Sequence, residues 1–532
     1  MMITEDKVVA FVPVRLTSTR LPKKHFKPIG DKMLLSWVIY RLKECRNVSQ
    51  IVICAPNESE SQELIDFASN EAVELFIYDG DVNDVVGRLT RAAELYQADI
   101  CVLASGDCPL LNPPTIDLMI DSLTDYLYDA AYVVFEPVND GFPIHEGILA
   151  AKRWLWVYAD RVSDTPYLRE HHFPVYVQNV YPEKFSHAKI ASVRDRDVFY
   201  SVKHRISVDT PSDLEFMNRV YDALKDAGKG FNLEDVIELL NAQPQFKEIN
   251  ASVHQKTYNA PSVNVLYYAA MLQGDGYDNL LRGSEVARVL MDRFGAGVRF
   301  LVSEEKAREF LETRGVTTFI GTYDRLSEVY AKFQYDTVIF DVNAAFDMPC
   351  GFLSGLSTSM DVRTVVIGNT TNGSLEADLV IAPHLYDYIY DAPNVKGGKE
   401  FIVIRDEIKK VKPLSINKDD VMVIYSYGEP IMSLLPERLK KADLRFTIKD
   451  FSGYDVEFPK QLATAKILVT TLGVAAYEAI YLGTVPALLS LTDQDRMPTQ
   501  LFYEAYKEFD PTCLDNGAEN VASEIIKLTS KG

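Results

Sequence analysis

Short apolar runs alternate with segments of helical periodicity along nearly the whole chain, and this alternation restricts the fold more than any other feature. In the first half of the chain, strands are predicted at residues 8–14, 50–54, 74–77 and 100–104. Helices are predicted at residues 34–46, 61–69 and 84–97. Strand–helix–strand alternation is typical of an α/β fold with a largely parallel sheet and helices on both faces.

The same alternation starts again after a polar, weakly patterned stretch at residues 241–252. Strands are predicted at 263–268, 299–302, 317–320, 337–340 and 364–367, and then at 421–425, 445–447, 467–470 and 487–489. A chain of 532 residues is too long for one core. We therefore predict a first domain at 1–245, a linker at 246–260, and a second domain with lobes at 261–412 and 413–532, hinged near Pro413.

The charge balance and the cysteine spacing narrow the class of protein. There are 55 lysines and arginines against 76 aspartates and glutamates, a net charge of −21, which argues against nucleic acid as a partner. Local basic loops are therefore interpreted as sites for small anions. The six cysteines have no metal-binding spacing, and neither a secretory signal nor an apolar stretch of membrane-spanning length is recognisable. These features predict a cytoplasmic enzyme without a membrane partner.

A basic loop follows the first predicted strand, which breaks at Pro13. The loop carries Arg15, Arg20, Lys23 and Lys24. Basic loops at the carboxyl ends of strands in α/β sheets bind nucleotide phosphates. From the charges alone, a solvated basic turn is an equally good interpretation.

Two acids also follow strand-like runs. Asp107 follows the apolar run at residues 100–104 and lies in a tight turn that ends at Pro109. A carboxylate at the end of such a strand is well placed to bind Mg²⁺. Asp209 follows residues 205–208, but Asp209 or Thr210 could instead cap the next helix, with Asp213 as the acid of a capping box.

A cluster of ionisable groups stands at residues 169–172, where the chain is otherwise aromatic and apolar. Arg169, Glu170 and His171 are its first members. Such a cluster is either part of a site or a surface patch.

Five segments of the first half together resemble the spore-coat-polysaccharide type of cytidylyltransferase, which is related to the enzymes that make CMP-sialic acid and CMP-3-deoxy-octulosonate. They are Ser18-Thr19-Arg20-Leu21-Pro22 with Lys24, residues 80–88, Gly106-Asp107-Cys108-Pro109-Leu110, Arg169-Glu170-His171 and Val208-Asp209-Thr210-Pro211. The resemblance implies a Rossmann-like, glycosyltransferase-A-like nucleotidyltransferase domain. It also implies transfer of CMP from CTP to a sugar acid with release of pyrophosphate, and a homodimer.

The resemblance further implies roles for individual residues. The catalytic set is Arg15, Arg20, Lys24, Asp107 and Asp209, of which the two aspartates would hold Mg²⁺. The nucleotide would contact Pro13, Val14, Ser18, Lys23, Asp84, Arg88 and Gly106. The acceptor would contact Arg169, His171 and Lys203. The chain departs from the family at Lys23, where glycine is usual, so this lysine either contacts phosphate or points to solvent.

The second half resembles a different family, the UDP-sugar hydrolase of pseudaminic acid biosynthesis, which has a two-lobed glycosyltransferase-B-like fold. The segments that carry this resemblance are Gly274-Asp275-Gly276 with Arg282, residues 337–341, residues 426–430, residues 471–479 and residues 482–486. The implied nucleotide-sugar site comprises Gly276, Asn279, Arg282, Gly428, Gly473, Val474 and Glu478. The glycine turn before Val474 would leave helix N–H groups for a diphosphate. Glu478 would bind ribose, or is a surface carboxylate.

The second half lacks the histidine on which that hydrolase depends, three residues before the arginine. Asn279 stands there, or Tyr277 if the glycines are aligned, and His254 and His384 are the histidines of this half. Imidazole acid–base chemistry is therefore not expected at this loop, although Asp275 or Asp278 could substitute. Hydrolysis is lost or altered, or the domain binds a UDP-sugar without catalysis.

Three functions follow from these resemblances. The first is a cytidylyltransferase fused to a hydrolase-like domain. The second is a hydrolase or glycosyltransferase whose chemistry lies in the C-terminal half. The third is a pair of nucleotide-sugar binding modules without catalysis. Replacement of Asp107 separates the first from the others.

Overall fold

The computed structural model describes residues 6–18, 20–58, 61–124, 127–133, 144–170, 183–254, 263–269, 277–342, 348–368, 373–386, 392–416, 418–426, 445–450, 455–490, 493–507, 509–511, 514 and 517–529. The chain divides into two compact units, Met1–Val253 and His254–Gly532. Among the helices of these residues, none is long and apolar enough to cross a membrane.

The first unit combines one large sheet with a small hairpin. Its strands are β1 (Val8–Pro13), β2 (Pro28–Ile29), β3 (Lys32–Met33), β4 (Gln50–Pro56), β5 (Glu74–Tyr78), β6 (Ile100–Ala104), β7 (Ala130–Val133), β8 (Ile148–Lys152) and β9 (Ile190–Val193). Its helices are α1 (Leu34–Lys43), α2 (Ser61–Glu71), α3 (Val85–Leu95), α4 (Pro113–Thr124), α5 (Arg153–Val162), α6 (Pro166–Glu170), α7 (Pro211–Asp226) and α8 (Leu233–Ala242). Short 3₁₀ helices lie at Lys24–Phe26, Asp197–Tyr200 and Pro244–Glu248.

The large sheet of the first unit has the strand order β5-β4-β1-β6-β8-β7-β9. β5, β4, β1 and β6 are parallel, whereas β8 is antiparallel to both of its neighbours. The expectation of a largely parallel, Rossmann-like arrangement holds for the half of the sheet around β1. The sheet as a whole is mixed, because β8 runs in the opposite direction.

The central strand β1 is buried on both faces of the sheet. Ala10 and Val12 belong to the core on one face, and Val9 and Phe11 belong to the core on the other. A parallel strand covered by helices on both faces has such an uninterrupted apolar sequence. Because β1 and β6 are parallel neighbours, their carboxyl ends open at the same edge, where the basic loop and Asp107 follow.

The second unit contains two wholly parallel sheets. Its strands are β10 (Asn264–Ala269), β11 (Gly297–Val302), β12 (Thr317–Ile320), β13 (Thr337–Asp341), β14 (Arg363–Ile367), β15 (Leu379–Ala382), β16 (Val395–Gly397), β17 (Asp419–Ser426), β18 (Arg445–Asp450), β19 (Ala465–Thr470) and β20 (Val485–Leu488). The sheets have the orders β12-β11-β10-β13-β14-β15-β16 and β18-β17-β19-β20.

Helices connect these strands in the second unit. They are α9 (Asp278–Phe294), α10 (Glu305–Thr313), α11 (Leu326–Phe333), α12 (Phe352–Met360), α13 (Asp406–Val411), α14 (Phe458–Thr464), α15 (Val474–Tyr481), α16 (Asp493–Tyr506) and α17 (Gly517–Thr529). Further 3₁₀ helices lie at Tyr323–Arg325, Ser374–Glu376, Lys399–Phe401 and Lys412–Ile416, the last of which contains Pro413.

Two structural boundaries differ from the predicted ones. Asn250, inside the predicted linker, donates from Nδ2 to Asp213 Oδ1 at 2.9 Å, so the chain is still packed in the first unit there. The last helix, α17, contributes Val521 and Ile525 to the core around β10, beside the seven-stranded sheet. The final part of the predicted second lobe at 413–532 therefore packs against the other sheet of this unit.

Candidate active site

A buried lysine lies between two aspartates at the carboxyl edge of the first sheet. Lys24 Nζ donates to Asp107 Oδ2 at 2.6 Å and to Asp209 Oδ1 at 2.8 Å. Asp107 follows β6 and Asp209 precedes α7, so the fold brings carboxylates from distant parts of the sequence onto one ammonium group. Three residues predicted from separate motifs thus meet at one point.

The charges of this cluster hold one another in the ionised state. Burial would lower the pKa of Lys24, but the two aspartates raise it above its ordinary value. Burial would raise the pKa of each carboxyl, but Lys24 lowers the pKa of Asp107 below its usual range. Lys24 and Arg20 hold the pKa of Asp209 well below that range. The lysine is therefore protonated and both aspartates are ionised at neutral pH.

Asp209 contacts two arginines in addition to Lys24. Arg20 Nη2 lies 3.2 Å from Asp209 Oδ2, and Arg205 Nη2 donates to the same oxygen. Arg205 is held in turn by Asp213, with 3.3 Å between Nε and Oδ1. Three cations therefore surround one carboxylate. Arg205 was not among the predicted site residues, and the signal for it in the sequence is that a buried acid such as Asp209 needs counter-charge.

Thr210, and not Asp209, caps the N-terminus of α7. Thr210 Oγ1 accepts from the Asp213 N–H at 3.3 Å, and Asp213 Oδ2 accepts from the Thr210 N–H at 3.1 Å. This capping box pairs backbone N–H groups at the start of the helix. The Asp209 side chain is thereby directed to the cations.

The turn that holds Asp107 packs tightly against the end of β1. Ser105 Oγ donates to Asp107 Oδ1 at 2.7 Å and orients the carboxylate. A Cβ on Gly106 would lie 2.8 Å from the Pro13 carbonyl oxygen and 3.2 Å from His25 Nε2, so a side chain there would displace the turn. Burial, above all, lowers the pKa of His25 to about 3, so this ring adds no charge at neutral pH.

Lys23 has the backbone conformation that favours glycine. Its φ of 51° and ψ of 33° lie in the left-handed region. Its Nζ pairs with Glu63 Oε1 at 2.6 Å on the surface. This chain therefore places a lysine, where the resembling family usually has glycine, in a backbone conformation that glycine adopts readily. Its ammonium points to Glu63 and away from the aspartate cluster.

Glu58 holds the start of the same loop. Its Oε2 accepts from the Leu16 N–H at 3.0 Å, and its Oε1 accepts from Thr17 Oγ1 at 2.5 Å. Val14 is buried and Ser18 is partly buried beside this anchor. Glu58 was not among the predicted site residues. The only signal for it was its place just after β4, the neighbour of β1.

Arg88 and Arg20 each have a buried N–H group without a hydrogen-bond partner among the described residues. Arg88 is 2% exposed, and its Nε and Nη1 have no hydrogen-bond partner among the described residues. Arg20 Nη1 is also buried without a partner in that part of the chain. Burial lowers the pKa of Arg88, and Arg15 nearby lowers it further. Because buried donors are nearly always paired, these groups are suited to bind an anionic ligand.

Asp84 was predicted to contact the nucleotide and Arg169 to contact the acceptor. In the structure the two side chains form a bidentate ion pair. Arg169 Nε and Nη2 each donate to an Asp84 oxygen at 2.8 Å. Asp84 Oδ1 also accepts from the Gly87 N–H at 2.9 Å and caps α3, while Arg169 Nη1 lies 2.8 Å from Asp160 Oδ1. This pair positions α3, which carries Arg88. An acceptor contact by Arg169 stays a prediction.

Lys203 and His171 are the other two predicted acceptor residues. Lys203 is exposed on the segment before Arg205. His171 lies outside the described residues. Their roles stay predictions.

In the second unit, Arg282 is held by a buried network at the carboxyl end of β13. Its Nε donates to Asp341 Oδ2 at 3.1 Å, and its Nη2 donates to Asn279 Oδ1 at 3.0 Å. Tyr267 Oη donates to Asp341 Oδ2 at 2.6 Å. Two predicted nucleotide-sugar residues, Asn279 and Arg282, are thus adjacent. Gly276 and Gly428 lie outside the described residues.

The glycine turn before α15 is contacted by an acid of the protein itself. Asp278 Oδ2 accepts from the Val474 N–H at 3.0 Å, and a Cβ on Gly473 would lie 2.1 Å from the same oxygen. A carboxylate therefore occupies the position at the helix N-terminus predicted for a diphosphate. Diphosphate binding there stays a prediction and requires Asp278 to move.

Glu478 is a buried structural residue and not a surface carboxylate. Its oxygens accept from Arg405 Nε at 2.5 Å and Nη2 at 2.6 Å, and both side chains are almost wholly buried. Burial raises the pKa of Glu478, while Arg405 opposes that rise. The pairing favours a structural role over the predicted contact with ribose.

The second unit contains a partly buried histidine, His384, which lies beside Tyr477. His384 follows β15, and its Nδ1 lies 3.3 Å from Tyr477 Oη. Burial, and then the charge of Arg282, lower the pKa of His384 to about 4. The expectation that imidazole acid–base chemistry is absent from the glycine loop stays a prediction.

Comparison with known proteins identifies the first half of the chain. Residues 9–269 match the family model described as cytidylyltransferase. An uncharacterized protein of Methanocaldococcus jannaschii is 25% identical over 255 residues, which are 47% of this chain and 98% of that protein. The spore coat polysaccharide biosynthesis protein SpsF of Bacillus subtilis is 22% identical over 246 residues, 45% of this chain and 96% of SpsF. A 3-deoxy-manno-octulosonate cytidylyltransferase of Acidobacterium capsulatum is 28% identical over 106 residues, 20% of this chain and 42% of that enzyme.

Proposed function

Residues 9–269 of this chain belong to the cytidylyltransferase family, and from this membership we propose that the first unit transfers CMP from CTP to a nonulosonate-like sugar acid. Pyrophosphate is the second product. The similarity to SpsF supports a place in surface polysaccharide or glycan biosynthesis.

The buried, unpaired N–H groups of Arg88 and Arg20 are the observation that carries this proposal. A triphosphate supplies the acceptors that these donors lack, and Arg15 and Lys24 add positive charge at the same edge of the sheet. Transfer of a nucleotidyl group requires mainly that the acceptor hydroxyl be placed in line with the α-phosphorus while cations neutralise the phosphates. The cluster provides such an environment.

Asp107 and Asp209 fit the requirements of a magnesium site. Each directs one carboxylate oxygen at the same cation, Lys24 Nζ. Within the described residues, no group of three or more His, Cys, Asp or Glu side chains could hold a metal ion. Mg²⁺ is commonly bound by one or two carboxylates together with substrate phosphates. When bound, the ion would neutralise charge on the transferring phosphate.

A second candidate function lies in the second unit and concerns a UDP-sugar. Arg282 and His384 near the carboxyl edge of the seven-stranded sheet favour a nucleotide-sugar site, in keeping with the glycosyltransferase-B-like, two-lobed fold proposed for this unit. Binding without catalysis, hydrolysis and glycosyl transfer all remain open for it. A homodimer and a cytoplasmic location also stay predictions.

The nucleotide preference of the first unit is testable by thermal denaturation. We expect CTP with Mg²⁺ to raise Tm by several degrees, since a ligand at about 100 times its Kd stabilises a protein by about 2.7 kcal/mol. UTP, ATP, GTP and UDP are expected to raise it less. Arg88→Met should abolish the CTP shift, because it removes the buried donors.

Arg91→Met is the matched control, since Arg91 lies on the same helix but pairs with Glu94 on the surface at 2.8 Å. This variant should retain the full CTP shift. A response to UDP alone that is indifferent to Arg88→Met would move the nucleotide site to the second unit and contradict the proposal.

A further inference from the structure

Lys24 Nζ lies where a metal ion shared by Asp107 and Asp209 would have to lie. The nitrogen is 2.6 Å from one carboxylate and 2.8 Å from the other, and the lysine side chain is only 9% exposed. An ammonium group and a divalent cation cannot share this position, and their charges repel strongly at such short range. In this structure the Lys24 ammonium group therefore occupies the position between Asp107 and Asp209 that a metal ion would need.

An anionic ligand at Arg20 would give Lys24 an alternative partner. Arg20 Nη2 contacts Asp209, the carboxylate that Lys24 also contacts, while Arg20 Nη1 is buried without a partner among the described residues. A phosphate bound to Nη1 would lie near Lys24. The flexible four-carbon stem of lysine allows its ammonium to change partner without movement of the backbone.

We infer that Lys24 is an exchangeable counterion, which closes the position between Asp107 and Asp209 in the nucleotide-free protein and moves to the triphosphate when CTP binds. This inference rests on the proposed CTP site. Its consequence is an order of binding: the free protein binds divalent metal weakly, and the carboxylates become available to a metal ion only with the nucleotide. Lys24 thus pairs with the two aspartates in the nucleotide-free protein and with the phosphates in the CTP complex.

Binding of Mn²⁺ in the absence of nucleotide tests this inference. Free Mn²⁺ is measured by electron paramagnetic resonance against wild type and Lys24→Met, which keeps the apolar stem and removes the charge. We expect Lys24→Met to bind one Mn²⁺ at least tenfold more tightly than wild type. The double variant Lys24→Met with Asp107→Asn should lose this gain, because it removes one of the two ligands.

Lys229→Met is the matched control. Lys229 also lies between two acids, 2.7 Å from Glu238 Oε2 and 4.0 Å from Asp235 Oδ1, but on the surface. Its removal should leave Mn²⁺ binding unchanged. Lys24→Gln, whose amide can still donate to one carboxylate, is measured alongside as a milder change, with circular dichroism to monitor folding.

Equal Mn²⁺ binding by wild type and both Lys24 variants would overturn the inference. Loss of folding in both variants would also overturn it, because Lys24 would then be a fixed structural counterion. The proposed function fails separately: if wild type shows no CTP shift in the presence of Mg²⁺, the CTP site itself is wrong. A normal CTP shift with no gain in Mn²⁺ binding rejects only the exchange.

Discussion

Asp107→Asn is expected to lower kcat/KM for CMP transfer by about a thousandfold, equivalent to about 4 kcal/mol of transition-state stabilisation. The substitution keeps the shape of the side chain and its contact with Ser105, but removes the charge that Lys24 and a divalent cation require. Pyrophosphate release from CTP in the presence of a competent sugar-acid acceptor measures the effect.

Asp99→Asn is the control for this prediction, because Asp99 lies at the opposite end of β6. Its Oδ2 accepts from the Lys7 N–H at 2.9 Å, away from the carboxyl edge of the sheet. This variant should retain wild-type activity. More than a tenth of the activity remaining in Asp107→Asn would exclude a central role for this carboxylate.

Glu478→Gln is expected to destabilise the second unit by about 3 kcal/mol. Removal of one partner from a buried ion pair leaves the other charge without compensation, which typically costs about 3–5 kcal/mol. Glu407, whose carboxylate lies 3.8 Å from Arg405 Nη1, is more distant than Glu478 and compensates the charge less well. Urea denaturation followed by circular dichroism measures the loss, and the CTP-dependent stabilisation of the first unit should persist.

Glu457→Gln provides the comparison for a surface ion pair. Glu457 contacts Lys460 at 3.2 Å with both side chains exposed, so its loss should change stability by less than about 0.5 kcal/mol. If Glu478 binds ribose instead, Glu478→Gln would weaken UDP binding and leave stability within about 1 kcal/mol of wild type. That pattern would contradict the structural role.

The strands around β1 were predictable because buried parallel strands are continuous apolar runs. Residues 100–104 coincide with β6, and residues 317–320 coincide with β12. The short strands β7, β8 and β9 were not predicted. β7 and β8 each contain two alanines, which lowers their strand propensity, and β9 has only four residues, so pairing with distant strands determines their conformation.

Helix ends were predictable only where a local signal marks them. The capping box at Thr210 and Asp213 is such a signal, and α7 begins there. Helix α1 ends at Lys43 rather than at residue 46, because Asp117 accepts from the Arg46 and Asn47 N–H groups at 3.1 and 3.0 Å and draws the chain out of the helix. A contact between residues so far apart leaves no trace in the sequence.

The difference between local signals and long-range contacts also explains which features of the candidate sites were predictable. Lys24, Asp107 and Asp209 each lie in a segment that carries the resemblance to cytidylyltransferases, and that resemblance selected them, since the local pattern alone left a solvated turn and a helix cap as alternatives. The pairing of Asp84 with Arg169 depends on the approach of α3 and α6, and neither residue's motif carries that information. The sequence therefore nominated candidate charged groups, while the fold determined which of them are partners.

Transfer of label from [α-³²P]CTP tests the central claim most directly. The protein is incubated with Mg²⁺ and a panel of nonulosonic and 3-deoxy sugar acids, and the products are separated and identified by mass spectrometry. We predict that the label appears in a CMP-sugar acid with one equivalent of pyrophosphate, and that [α-³²P]UTP gives no such product. Label transfer from UTP in preference to CTP, or release of unconjugated CMP with every acceptor, would contradict the assignment of the first unit as a sugar-acid cytidylyltransferase.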